Sequence, residues 1–138
     1  MADLTGSLGQ QIAEVRIAAS STGGATPVVG NGTGSASTAI ATLTAVASKT
    51  TYIAGFIVTG LGATAASVVT VVISGLLGGS YTTYMTVVAG ATTSCVPLVI
   101  EFATPLAASA VNTNIVVTAS SFGAGNTSSA VSAHGYNL

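Results

Sequence analysis

The sequence predicts an all-β protein, an antiparallel sandwich or barrel preceded by an extended N-terminal arm. Three observations carry that prediction. Apolar and polar residues alternate with period two through several segments rich in Val, Ile and Thr. Such alternation is what a half-buried pleated surface selects. Breaks with turn chemistry recur about every 10–16 residues, the rhythm of short antiparallel strands. The 17 glycines and the many β-branched residues depress helix propensity throughout.

Residues 1–38 differ from the rest and are read as an arm and connector. Asp3, Glu14 and Arg16 hold three of the five formal charges, and Ile12, Val15 and Ile17 lie among them. Ser20 to Pro27 and Gly30 to Ser35 are so rich in Gly, Ser and Thr that they predict a connector outside the core. Within it, Asn31-Gly32-Thr33 also fits a tight hairpin turn, because Asn-Gly tolerates positive φ.

The sandwich is expected over residues 39–138. Candidate strands are 39–47, 50–59, 66–74, 81–89, 95–103, 111–120 and 130–137. Ser48-Lys49 supplies a polar corner, and Gly60-Leu61-Gly62 ends the second strand. Gly75 to Ser80 closes a hairpin, Gly90 ends the fourth strand, Pro105 follows the fifth, and Gly123 to Asn126 follow the sixth. Strict alternation in the second strand sets Tyr52, Ala54, Phe56 and Val58 against Ile53, Gly55, Ile57 and Thr59. In the fifth it sets Val96, Leu98, Ile100 and Phe102 against Cys95, Pro97, Val99 and Glu101.

Charge excludes more than it suggests. Charged residues make up 4% of the chain, against about 25% in an ordinary domain. Lys49 and Arg16 are too few to neutralise a run of phosphates, so nucleic-acid binding is excluded. With 49% hydrophobic residues the chain is no disordered polymer. No charge separates Lys49 from Glu101, yet Gly, Ser and Thr interrupt that stretch too often for a spanning helix. Three Phe and four Tyr are too few for the aromatic girdles of a lipid-facing barrel. No membrane partner is expected. Met-Ala-Asp-Leu has neither a basic start nor an apolar core, so no secretory signal is expected and the chain should stay in the cytosol of its producing cell.

Chemistry-bearing groups are scarce. His134 is the sole histidine, and no Gly-x-Ser-x-Gly elbow presents a serine to it. Gly30, Gly32 and Gly34 lack the lysine and the helix of a phosphate cradle. Cys95 stands alone, with no spacing that suggests a metal ligand set, and reads as a small buried apolar residue. Glu101 lies between Ile100 and Phe102, so it is expected to face outward or to meet a cation, Lys49 or Arg16. No catalytic, cofactor or metal site is expected, and no enzyme. A neutral surface of Ser, Thr, Asn, Gly and Ala is expected to be covered by copies of itself or by a larger assembly.

Several stretches resemble small β-sandwich structural proteins of tailed bacteriophages. They are Tyr52 to Phe56, Gly62 to Ala66, Pro97 to Thr113, Gly123 to Asn126, and the tail His134-Gly135-Tyr136. The resemblance spans about residues 50–138 and leaves out the arm. It implies a jelly-roll-like sandwich and a place in the virion, most simply on the outer capsid surface. It implies a homotrimer that decorates and stabilises the shell by bridging neighbouring major capsid protein subunits. The arm, with Leu4, Leu8, Ile12, Glu14 and Arg16, would then dock on the shell, and Glu101, His134 and Tyr136 would lie between subunits. Two other readings use the same fold. One is a tail-tip, head-fibre or receptor-binding module, with Tyr81, Tyr84 and Tyr136 as stacking residues. The other is a free-standing lectin-like module.

Overall fold

Eight strands form two four-stranded antiparallel sheets in a computed structural model that describes residues 24–125 and 128–138. They are β1 (Thr26–Gly34), β2 (Ala39–Leu43), β3 (Thr51–Leu61), β4 (Ser67–Leu76), β5 (Gly79–Val87), β6 (Leu98–Ala107), β7 (Ile115–Ala119) and β8 (Ser128–Asn137). One sheet has the order β1-β8-β3-β6 and the other β2-β7-β4-β5. No helix occurs among the described residues.

The topology follows from one long ribbon. β4 and β5 form the hairpin at its tip, and β3–β6, β2–β7 and β1–β8 are the successive antiparallel pairs behind it. Rolling that ribbon brings β8 beside β3 and β7 beside β4. This is a jelly roll. Leu77 and Gly78 make the tip, and Gly75, Gly78 and Gly79 all have positive φ there, so glycine is needed where the sequence placed the turn.

The core lies between the sheets and is built from small, stiff side chains. Ala39, Ala41 and Leu43 of β2 face Ile53, Phe56 and Val58 of β3, with Val69, Val71 and Ile73 of β4 and Ile115 and Val117 of β7. Phe56 and Phe122 are its largest members. A Cβ at Gly60 would lie 2.0 Å from the Phe122 ring, so that glycine makes room for the aromatic side chain. At one end of the roll a buried polar link joins three segments. Thr51 Oγ1 donates to Asn137 Oδ1 at 2.8 Å, and Asn137 Nδ2 donates to the Thr44 carbonyl at 3.1 Å. Their mutual bonding removes the penalty of burying them unpaired.

Two expectations need correction. The stretch read as connector contains β1, which pairs with β8 in continuous register from Thr26↔Asn137 to Gly34↔Ser129. Asn31-Gly32-Thr33 lies inside that strand and makes no hairpin turn. The physical reason is the second neighbour of β1. Cβ atoms at Gly30 and Gly32 would lie 2.4 Å from the Thr42 carbonyl oxygen and 1.7 Å from that of Ile40. Alternate glycines therefore let β1 lie directly on the backbone of β2, a close approach that side chains would forbid.

The second correction concerns β3. Its register shifts between Ile53 and Gly55 against both β6 and β8. A bulge of this kind moves the alternation by one residue. Thr51 and Ile53 face inward below it, and Phe56 and Val58 face inward above it, so Tyr52 and Phe56 do not share a face. Smaller differences lie at strand ends. β6 starts at Leu98 rather than at 95 and carries Pro105 within it, as an edge strand permits.

These contacts separate the two readings of Gly32 by experiment. Gly32→Ala should cost about 2 kcal/mol or more in urea unfolding, because the new methyl meets backbone and cannot rotate away. A turn or connector glycine at this position would leave the midpoint nearly unchanged.

Candidate functional site

The outer face of the β1-β8-β3-β6 sheet carries the only ionisable pair among the described side chains. His134 Nε2 lies 3.2 Å from Glu101 Oε2. The two residues sit two strands apart, on β8 and β6, with Gly55 of β3 between them in register. Gly55 has no side chain to separate them. A Cβ there would lie 2.4 Å from Glu101 Oε2 and 2.6 Å from its carboxyl carbon. The pair thus spans a central strand across a glycine. Both side chains are about half exposed, 48% for His134 and 61% for Glu101, so the pair adds little to folding stability.

Below the pair on the same face, Tyr136 of β8 stacks on Tyr52 of β3, with ring centroids 5.1 Å apart and planes 15° off parallel. Above it lies an open depression of about 330 Å³, lined by Val29, Phe56, Ile57, Glu101, Ser132, Ala133 and His134. Val29, Ile57 and Val99 add exposed apolar surface around it. Glu101, His134 and Tyr136, singled out in the sequence as subunit-contact residues, are thereby brought onto one face. Leu4, Leu8, Ile12, Glu14 and Arg16 lie outside the described residues.

Glu101 faces outward as expected; of the two cations expected near it, Arg16 lies outside the described residues and Lys49 does not reach it. The Lys49 ammonium instead donates to the Gly24 carbonyl oxygen and to Thr26 Oγ1, the latter at 3.2 Å, tying the start of β1 to the β2–β3 corner. The sequence carried no signal for the His134–Glu101 pair, since the two are joined only by the rolled topology.

Ser132, His134 and Glu101 all line the depression, which brings the residue types of a hydrolytic triad together. Their arrangement differs from one. Ser132 and His134 are alternate residues of an extended strand, so their Cα atoms stand about 6.7 Å apart. No hydrogen bond joins the two side chains, and the serine sits on regular strand rather than a strained turn. No cluster of three metal-ligating side chains occurs among the described residues. Cys95 is buried, with its N–H bonded to the Gly60 carbonyl. The three tyrosines named as stacking candidates are dispersed. Tyr136 stacks on Tyr52, Tyr81 meets Phe102 of β6 edge-on, and Tyr84 is exposed on β5.

The outer face of the second sheet carries no charge at all. Ile40, Thr42, Val68, Thr70, Val72, Thr82, Tyr84, Thr86, Val116 and Thr118 are among its outward residues. No helix among the described residues is long and apolar enough to cross a membrane. No protein-family model and no curated protein matches the sequence.

The role of Gly55 gives a direct expectation. In a crystal structure of Gly55→Ala the Glu101 carboxylate should stand more than about 4 Å from His134 Nε2, the limit of an ion pair. Stability should change by no more than about 1 kcal/mol, because the methyl meets the mobile end of a surface side chain. This contrasts with the cost expected at Gly32.

Proposed function

We propose that this protein is a structural component of a bacteriophage virion that decorates the outer capsid surface and stabilises it. In this reading three copies associate through the sandwich, and the assembly bridges neighbouring major capsid protein subunits. The observation that carries the proposal is the charge distribution over the two sheet faces. Among the described residues only Lys49 and Glu101 carry a formal charge, and Glu101 already faces His134. Large exposed apolar side chains remain on both faces, Val29, Val68 and Tyr84 among them. A surface of this kind suits repeated contact with copies of itself and with a protein shell. It offers little to an electrostatically guided partner.

The resemblance of residues 50–138 to small phage sandwich proteins supports the same reading. So does the jelly-roll topology, which recurs in viral capsid and lectin domains. Function does not follow from fold alone, so the contact surfaces carry the argument. Glu101, His134 and Tyr136 share one face, as residues of a single subunit contact must.

A trimer multiplies weak shell contacts. Once one copy has docked, the second and third bind intramolecularly, and avidity exceeds single-site affinity by about 10²–10⁴. The arm that precedes β1, with Leu4, Leu8, Ile12, Glu14 and Arg16, is assigned to the shell and the sandwich to trimerisation. The β2–β3 corner anchors the root of that arm, where Lys49 holds Gly24 and Thr26.

The test separates these roles. Protein lacking residues 1–20 should still sediment as a trimer and should no longer co-sediment with expanded capsids of the phage that carries the gene. Full coating of those shells by the truncated trimer would refute the assignment.

A further inference from the structure

We infer that β5 is a docking edge for a second copy of this chain, pairing antiparallel with its own counterpart about a two-fold axis. The inference goes beyond the proposed capsid role and stands on the sheet edges. Each sheet ends in two edge strands, and an exposed edge offers unpaired backbone N–H and C=O groups to any other strand. Three of the four edges carry a feature that discourages such pairing. β2 is only five residues long, and β1 lies against its backbone through Gly30 and Gly32. β1 carries Pro27 near its start. β6 carries Pro105 and the charged Glu101, and its register is broken opposite Ile53 and Gly55.

β5 has neither proline nor charge in its nine residues, and its one register shift against β4, between Ile73 and Leu76, lies at the hairpin end. Its register against β4 is unbroken from Ser67↔Val87 to Ile73↔Tyr81. Met85 and Val87 are buried in the core, which fixes the strand, while Tyr81, Thr82, Tyr84 and Thr86 are exposed. A strand of this length and composition, with no further strand beside it among the described residues, is a template for pairing.

The sequence of β5 is also complementary to itself. A two-fold axis through Thr83, the middle of the strand, sets Thr83 opposite the partner's Thr83. It sets Thr82 opposite the partner's Tyr84 and Tyr84 opposite the partner's Thr82, all on the exposed face. A threonine pair and aromatic–β-branched pairs are each favourable across strands. No like charges meet, because the strand has no charge. Pairing of this isologous kind uses both β5 edges and closes, leaving no edge free to recruit a third copy. Pairing β5 with β6 would instead continue from copy to copy, and Pro105 and Glu101 oppose it.

Nine residues span about 30 Å, so the contact buries well under the roughly 800 Å² per partner of a standard stable interface. The association is therefore expected to be weak and concentration-dependent, an additional link between copies already gathered in an assembly.

Sedimentation velocity on the full chain, from about 10 to about 500 µM, tests the inference. Wild type should show a mass that rises reversibly with concentration, to twice the mass if the associating unit is a single chain. T82K/Y84K places lysines opposite one another in the two-fold register and should weaken that step at least about tenfold. T82K/Y84E places opposite charges there and should restore it. Thr118→Lys, on the same sheet face but on β7, should leave it unchanged, and circular dichroism should show all variants folded. A wild-type mass that does not depend on concentration would overturn the inference, as would association indifferent to the β5 variants. A three-fold mass that the β5 variants do not alter leaves the trimer standing and removes the β5 contact, so the two proposals fail separately.

Discussion

The roll closes through one steric constraint, the direct seating of β1 on the backbone of β2. Two sheets with an inner face of Ala, Val and Ile give limited apolar burial per residue, so an open side would be costly. Gly30 and Gly32 remove the side chains that would hold β1 away, and β1 then completes its sheet beside β8. Ser129 Oγ donates to the Gly34 carbonyl at 3.1 Å and fixes the far end of the same strand. At the near end Lys49 holds Gly24 and Thr26. A strand with so few side chains of its own is thus held by backbone pairing, by a neighbour's main chain and by contacts at both ends.

Much of the sandwich was legible in the sequence because its signals are local. Alternation in Ile115 to Thr118 and in Leu98 to Glu101 records which side of a pleat is wet, and burial follows it. Gly75, Gly78 and Gly79 mark the β4–β5 tip because backbone at positive φ favours glycine. β1 was illegible for the opposite reason. Its glycines answer to Thr42 and Ile40, residues in another strand, and in isolation they look like linker composition. The bulge in β3 was hidden in the same way. Tyr52 to Val58 alternates well enough, and only pairing with two neighbours at once reveals the inserted residue.

The candidate site was legible residue by residue but not as a group. An isolated carboxylate at mid-strand signals an outward position, and Glu101 takes one. Its partner could not be inferred, because His134 is brought near only when β8 inserts between β1 and β3. Gly55 gave no sign of its function either. Its importance lies in the side chain it lacks, which leaves a gap across the middle strand that an imidazole and a carboxylate bridge.

The scarcity of charge on the sheet faces has a consequence for the medium the protein can work in. Coulombic contacts fade within a Debye length of about 8 Å at physiological ionic strength and about 3 Å in molar salt. Contacts made through Thr, Val, Ile and Tyr on these faces escape that attenuation, and apolar burial is if anything strengthened by strongly hydrated salts. Assemblies formed through such faces would hold together in brine at least as well as in dilute buffer.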